Sequence, residues 1–226
     1  MSHFWWYVAR SSGFVAWVFL VASLMLGVIA SGRLAERARL RRYVLDLHPW
    51  VSGLAIGAVA LHVAAIVADS YVEITPVQAL VPFASPWRPA AVALGTVGLW
   101  MMLVIQATSL VRRHISRQVW YAIHTSSYAL AVLVTLHVLL AGSDVAALPV
   151  RIGVGALVAA LVGLTLLRVL VPPAPREEAA PRPAAPGPRP ATPRTAAPGS
   201  RYPSAPPTAA PSTAARPPDA HRRPPD

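Results

Sequence analysis

The sequence predicts an all-α integral membrane protein: a bundle of about five transmembrane helices followed by a disordered C-terminal tail. Hydrophobic residues make up 55% of the 226 positions and charged residues only 13%, against about 25% charged residues in a soluble domain. Five apolar stretches reach, or nearly reach, the roughly 20 residues that a membrane helix needs. The final stretch changes abruptly to a composition rich in proline, alanine and arginine.

The five predicted spans lie near residues 12–30, 49–68, 90–111, 119–141 and 148–171. The first is not predicted to be a cleaved signal peptide, because it lacks a basic start and an arginine-rich segment follows it. Four prolines between the second and third spans predict an extended loop or a short interfacial helix. Aromatic residues such as Trp87 and Trp120 fall at predicted membrane interfaces, where such rings act as anchors.

Two domains are expected: a membrane domain over residues 1–171 and a disordered tail over residues 172–226. The tail holds 18 prolines among its 55 residues and cannot bury enough apolar surface to fold alone. It would be a solvated extension or a polyproline segment that binds a partner.

Arginine asymmetry predicts the orientation. Seventeen of the 20 basic residues lie in the 31–47 and 112–118 loops or at the C-terminal end, and the exceptions are Arg10, Arg88 and Arg151. The positive-inside rule then predicts a multi-pass plasma-membrane protein with its N-terminus outside and its tail in the cytoplasm. Because the positive charge flanks spans, nucleic acid is not an expected partner, whereas membrane lipid is.

Four histidines form the most informative pattern. His48 and His62 are 14 residues apart near the second span, and His124 and His137 are 13 apart in the fourth. Histidines within a membrane are costly and indicate function. These two spans run in the same direction, so His48 matches His124 in depth near the cytoplasmic side. His62 then matches His137 toward the outer side.

Each cross-helix pair is predicted to hold one heme iron as axial ligands. The chain has no cysteine, which excludes iron–sulfur clusters and covalent attachment of c-type heme. The expected cofactors are therefore two noncovalent hemes b, stacked roughly 20 Å apart across the membrane. With both axial positions taken, such hemes pass electrons rather than bind substrate.

Helical phase supports the two helices unequally. At about 100° per residue, a gap of 14 returns within about 40° of the same face, whereas a gap of 13 misses by about 140°. His124 therefore needs a tightened or bulged turn nearby. His48 precedes Pro49, and we expect it at the mouth of its helix rather than inside.

Several alternatives remain open at this level. The histidines could be packing or interfacial residues, and a bare zinc or iron ion would want three or more clustered ligands. A flavin or quinone has no support in the residues. A different functional class is a heme-free membrane scaffold that recruits cytoplasmic partners through its proline-rich tail.

Heme propionates are anionic and seek cationic partners. Arg10 is the candidate of most interest, because it opposes the positive-inside trend. Asp69 and Asp144 lie just beyond the outer ends of the second and fourth spans and are predicted to be ordinary loop carboxylates. Gly95 and Gly98 are among the glycines that would let a helix or a porphyrin approach closely.

Three segments resemble the ferric reductase-like transmembrane domain, a superfamily that includes NADPH oxidases, ferric reductases and the heme-binding membrane subunit of bacterial methionine sulfoxide reductase. They are WWYVARSSGFVAW (5–17), LHPWVSGLAIGAVALHVAAIVAD (47–69) and SLVRRHISRQVWYAIHTSSYALAVLVTLHVLLAGSD (109–144). The resemblance covers about residues 5–170. It implies that His48 with His124, and His62 with His137, bind two hemes b.

The chain departs from the best-known members of that superfamily after its last span. No G-x-G-x-x-G motif opens a helix there, and no flavin or nicotinamide domain is recognisable. We therefore expect the membrane electron-transfer component of an oxidoreductase. A separate flavoprotein or quinol would donate electrons, and an outer-side partner would accept them.

Overall fold

The computed structural model describes residues 3–31, 38–70 and 72–171. Two arginines of the 31–47 loop, Arg33 and Arg37, lie outside these residues. The predicted tail over residues 172–226 also lies outside them. Within the described part the chain is helical and contains no strand.

The described residues contain seven α-helices: α1 (Phe4–Ser31), α2 (Ala38–Ala68), α3 (Pro76–Leu80), α4 (Pro89–Leu110), α5 (Arg117–Thr125), α6 (Ser127–Ala141) and α7 (Leu148–Leu170). α5 and α6 together make one apolar span, so five helices or helix pairs are long enough to cross a membrane. The predicted all-α membrane fold is confirmed.

Apolar surface on the outside of the bundle fits a lipid environment. The five spans have mean hydropathy between 1.6 and 2.4, yet only 6% of the most apolar window of α7 is buried against the rest of the protein. A soluble protein rarely exposes apolar surface on this scale. Helical spans suit a hydrocarbon surrounding, because most of their backbone groups are paired within the helix itself.

The second span begins much earlier than the sequence predicted. α2 starts at Ala38 and continues through Pro49, so His48 lies well inside the helix. The expectation that His48 sits at the helix mouth was wrong. Proline removes one backbone donor, but membrane helices tolerate this because nearby side chains adjust. The carbonyl that loses its usual donor is that of Leu45, and the Ser52 hydroxyl donates to a different one, the His48 carbonyl, at 2.8 Å.

The fourth span is interrupted where phase required it. α5 ends at Thr125 and α6 begins at Ser127. The Ser126 N–H points to the carbonyls of Ala122 and Ile123 at 3.3 and 3.1 Å, which is the tighter spacing of a 3₁₀ turn. This turn lies two residues after His124 and changes the angle between His124 and His137.

The predicted interfacial segment contains the short helix α3. Thr75 caps it, accepting from the Gln78 N–H while the Gln78 side chain accepts from the Thr75 N–H, which is a capping box. Two side chains of α4 donate to the last carbonyls of this segment: Thr96 Oγ1 to Ala79 at 2.9 Å and Trp100 Nε1 to Leu80 at 3.0 Å.

α1 is the central helix of the described bundle. It packs along α2 and also against α6 and α7, while α4 packs against α5 and α6. Trp17 of α1 is fully buried and donates its indole N–H to Thr135 Oγ1 at 3.0 Å. α1 therefore supports α2 on one side, and α4 supports α5 and α6 on the other.

An apolar layer lies midway along the spans. It is built from Met102, Ile105 and Leu130, with Ile56 and Val59 of α2 packed against them. This layer falls between the depths of His48 and His62 on α2. It separates the two histidine levels.

Candidate metal centres

The structure brings the four predicted histidines together as two cross-helix pairs. The imidazole centroids of His48 and His124 are 6.1 Å apart, and those of His62 and His137 are 6.3 Å apart. The ring planes within the pairs meet at 71° and 79°. The pairing predicted from depth therefore agrees with the observed geometry.

These separations match two imidazoles on opposite sides of one metal ion. A metal–imidazole nitrogen bond is about 2 Å long, so two trans imidazoles have ring centroids about 6 Å apart. Edge-to-face aromatic pairs also lie about 4.5–7 Å apart between centroids. The case for a shared metal therefore depends on the ring tautomers and on the helices behind the rings, together with the separations.

Backbone carbonyls of the supporting helices hold three of the rings by Nδ1. His62 Nδ1 lies 2.6 Å from the carbonyl oxygen of Ala9, and His137 Nδ1 lies 2.7 Å from that of Ala91. His48 Nδ1 lies 2.9 Å from the carbonyl of Ser23. A carbonyl only accepts, so Nδ1 must carry the proton and donate it.

That donation leaves Nε2 with a free lone pair for a metal. Metal-binding histidines commonly donate their second ring N–H in this way, which fixes the tautomer and the ring orientation. His124 uses a hydroxyl instead: its Nδ1 lies 3.5 Å from Ser109 Oγ, which itself donates to the Ile105 carbonyl at 2.7 Å. The His124 contact is the longest of the four.

Two glycines make room for the His62 and His137 rings. A Cβ built at Gly13 would lie 2.7 Å from Cε1 and Nδ1 of His62. A Cβ at Gly95 would lie 2.7 Å from Cε1 and 2.8 Å from Nδ1 of His137. Real Cβ contacts almost never approach this closely, so these positions admit only glycine with the rings as placed.

In three places, a residue whose backbone carbonyl contacts a histidine ring is followed four positions later by a glycine beside the same ring. We call each such carbonyl–glycine pair a notch. The three notches pair Ala9 with Gly13, Ser23 with Gly27, and Ala91 with Gly95. The Gly27 notch is looser, with His48 Cε1 3.6 Å from the built Cβ.

Sequence reasoning named Gly95 but missed Gly13 and Gly27. A usable signal was present, because these two glycines are 14 residues apart in α1, as His48 and His62 are in α2. Gly98 meets Val134 rather than a histidine. Gly53 and Gly57 have no neighbour within 4 Å of a built Cβ.

A large apolar cavity contains the His62–His137 pair. Its walls come from α1, α2, α4 and α6, and its polar end carries Arg10, Asp69 and Asp144. Arg10 forms a two-point ion pair with Asp144, with Nε donating at 3.0 Å. Its guanidinium also lies 5.7 Å from the ring centre of Trp6. Arg10 is thus in the cavity wall, held in place by a carboxylate.

Arg88, unlike Arg10, contacts the end of a helix. It adopts a left-handed backbone conformation before α4 and donates Nη1 to the Leu140 carbonyl at 2.6 Å, near the C-terminus of α6. Such a contact satisfies a carbonyl that has no partner within its own helix. Of the other histidines, His114 is exposed and accepts from Arg113 Nε at 2.9 Å, and His221 lies outside the described residues.

The donor set fits a porphyrin better than a bare ion. Within residues 3–31, 38–70 and 72–171, no group of three or more His, Cys, Asp or Glu side chains could hold a metal ion. Each pair offers two imidazole nitrogens, and an iron porphyrin would supply the other four ligands itself. The glycine notches keep α1 and α4 close behind the His62 and His137 rings, as a rigid axial ligand requires.

Comparison with known protein families gives one match. A family model described as the ferric reductase like transmembrane component matches residues 12–135. The matched region includes the His48–His124 pair and His62, and stops two residues before His137. Comparisons with curated proteins and with solved structures found no match.

Proposed function

Because the chain belongs to the ferric reductase-like transmembrane family, we propose that it is a diheme b-type electron-transfer protein of the membrane. In this proposal, His48 with His124 would hold one noncovalent heme, and His62 with His137 would hold the other. The observation that carries it is the pairing of the rings at 6.1 and 6.3 Å, with Nδ1 of three rings donating to backbone carbonyls so that Nε2 is left for a metal. The ferric reductase-like domain is itself associated with electron transfer across membranes.

The histidines and the layer between them define what the protein does. When bound, each heme would supply a one-electron carrier held by two histidines of the chain. The two ligand levels on α2 are 14 residues apart, which corresponds to about 21 Å along the helix. Met102, Ile105 and Leu130 fill the interval with apolar side chains and exclude water from it.

The arginine asymmetry supports the proposed orientation, and the proposal adds the direction of electron flow and the partners. The His48–His124 pair would face the cytoplasm and receive electrons from a separate flavoprotein or a membrane quinol. The His62–His137 pair would face outside and deliver them to an acceptor there. Arg10 lies in the wall of the His62–His137 cavity. Asp144 accepts from two of the Arg10 nitrogens. The guanidinium has further N–H donors, and these suit a propionate.

The test is the heme content and reduced-minus-oxidised spectrum of the purified full-length protein. Wild type should hold two hemes b per chain. His62→Ala and His137→Ala should each remove the same heme, and His48→Ala and His124→Ala should each remove the other. His114→Ala replaces an exposed histidine and is the matched control, expected to retain both.

A colourless wild-type protein would overturn the proposal. So would a substitution pattern that pairs the histidines differently, for example a common loss on His48→Ala and His137→Ala. Reduction by a quinol, blocked by a quinone analogue, would distinguish a membrane donor from a flavoprotein.

A further inference from the structure

Trp120 has a buried indole N–H without an acceptor. It lies in the first half of α5, one turn before His124, and its Nε1 is buried with no hydrogen-bond partner among the described residues. Its ring is stacked on the His124 imidazole, with centroids 4.9 Å apart and planes 19° apart. The same side chain therefore touches a proposed axial ligand and carries an unused donor.

A buried donor without an acceptor is unfavourable, because it loses its hydrogen bond to water and gains none in return. Two other tryptophans of the bundle show the usual arrangement, because Trp17 donates to Thr135 and Trp100 donates to the Leu80 carbonyl. The exception at Trp120 points to an acceptor that residues 3–31, 38–70 and 72–171 do not supply.

An interface anchor, the role predicted for Trp120 from sequence, would place its indole N–H in the wet headgroup region. The neighbouring Tyr121 is 57% exposed, whereas Trp120 has its ring against His124 and its nitrogen buried. Trp120 therefore belongs to the histidine pair rather than to the lipid-facing surface.

The local charge favours an anionic acceptor. α5 begins at Arg117 after the N-cap Ser116, so Trp120 lies within its first turn. The N-terminal end of a helix carries a positive partial charge that stabilises anions within about one turn. A carboxylate is the anionic acceptor that a noncovalent heme brings with it.

We propose that Trp120 is a cofactor-contacting residue of the His48–His124 site. Its indole N–H donates to a propionate carboxylate of the heme bound there, and its ring fixes the plane of the His124 imidazole. This inference rests on the proposed function, because it requires a heme between His48 and His124.

Two substitutions separate the two contributions. Trp120→Phe keeps an aromatic ring for stacking but removes the N–H, and Trp120→Leu removes both. Trp100→Phe is the matched control, because it deletes an indole hydrogen bond on α4 at the α3 contact. Each full-length protein is assayed by redox titration and by EPR of the oxidised hemes, which reports the angle between axial imidazole planes.

For Trp120→Phe we expect a lower midpoint potential for the heme that His124→Ala removes. The propionate charge is then less compensated, which favours the ferric form. The second heme should be unchanged and the EPR spectrum retained. Trp120→Leu should in addition alter the EPR signal of the same heme, and Trp100→Phe should change neither quantity.

Unchanged midpoint potentials in Trp120→Phe, with both hemes present, would overturn the role of Trp120 and leave the diheme proposal intact. An equal shift in Trp100→Phe would also overturn it, because the effect would then be general. A wild-type protein without heme would overturn both proposals together.

Discussion

Replacing Gly13 or Gly95 by alanine tests whether the notches position the heme ligands. The new Cβ at Gly13 would lie 2.7 Å from the His62 ring, whereas ordinary contact begins at 3.4 Å. The ring must then move away by about 0.7 Å to reach an ordinary contact, because carbon–carbon contacts are most favourable at about 3.5–4.0 Å. A retreat of that size would lengthen the 2.6 Å bond from His62 to Ala9 beyond the usual limit of about 3.2 Å.

The magnitude follows from two effects. Overpacking a well-packed site costs typically about 1–3 kcal/mol, and loss of a hydrogen bond that orients a metal ligand typically lowers metal affinity about 10- to 100-fold. We expect Gly13→Ala and Gly95→Ala each to weaken binding of the same heme, at the His62–His137 site, by about 10- to 100-fold. The other heme should be retained.

Gly27→Ala is the matched control. Its Cβ would meet His48 Cε1 at 3.6 Å, an ordinary contact, so heme binding should be unchanged. The substitution should raise the free energy of unfolding by about 0.4–1 kcal/mol, because alanine restricts the unfolded chain. The assay is heme titration of the purified apoprotein, with thermal unfolding of the same samples.

Equal heme affinity in Gly13→Ala, Gly95→Ala and wild type would refute the reasoning. It would mean that the His62 and His137 rings need no space behind them. A selective loss in Gly27→Ala would contradict it from the other side.

Three further predictions concern the Arg10–Asp144 pair in the cavity wall, the α1–α6 contact and the break between α5 and α6. Arg10→Gln should lower, and Asp144→Asn should raise, the midpoint potential of the His62–His137 heme, because they remove charges of opposite sign; redox titration checks the signs. The Arg10–Asp144 ion pair is partly exposed, with side chains 30% and 48% accessible. A double-mutant cycle on the free energy of unfolding should therefore give a coupling energy of about 1 kcal/mol or less. Thr135→Val leaves the buried Trp17 N–H unpaired and should lower the free energy of unfolding by about 1–3 kcal/mol, measured by thermal unfolding. One alanine inserted after Ser126 should rotate α6 by about 100° relative to α5 and abolish the binding of one heme. Retention of both hemes would show that the angle between α5 and α6 does not matter for heme binding.

The existence of the helices was readable from composition, but the starts of α1 and α2 were not. The four spans that follow plain apolar runs were predicted within a few residues, except at the start of α1. The start of α2 was missed because its first turns carry Arg39, Arg41 and Arg42, and because proline at position 49 suggested a boundary. Charged residues at a span end remain helical when their heads reach the interface, and a membrane helix absorbs one proline.

The histidine pairs show how far spacing can lead. Equal direction and depth predicted which histidine faces which, because helix rise is nearly constant. Phase predicted an irregular turn near His124, and the break at Ser126 confirms it. Spacing alone was silent on the supporting carbonyls of Ala9 and Ala91, because these contacts join helices far apart in sequence.

The sequence by itself determined the membrane fold, the number of spans and the two levels at which histidines meet. These depend on composition and on periodicities that every helix shares. Only the tertiary structure decided that Gly13 and Gly95 sit behind His62 and His137, that Arg10 is paired with Asp144, and that Trp120 stacks on His124. Such contacts depend on how helices rotate and approach one another. That is set by side-chain packing over the whole bundle rather than by local pattern.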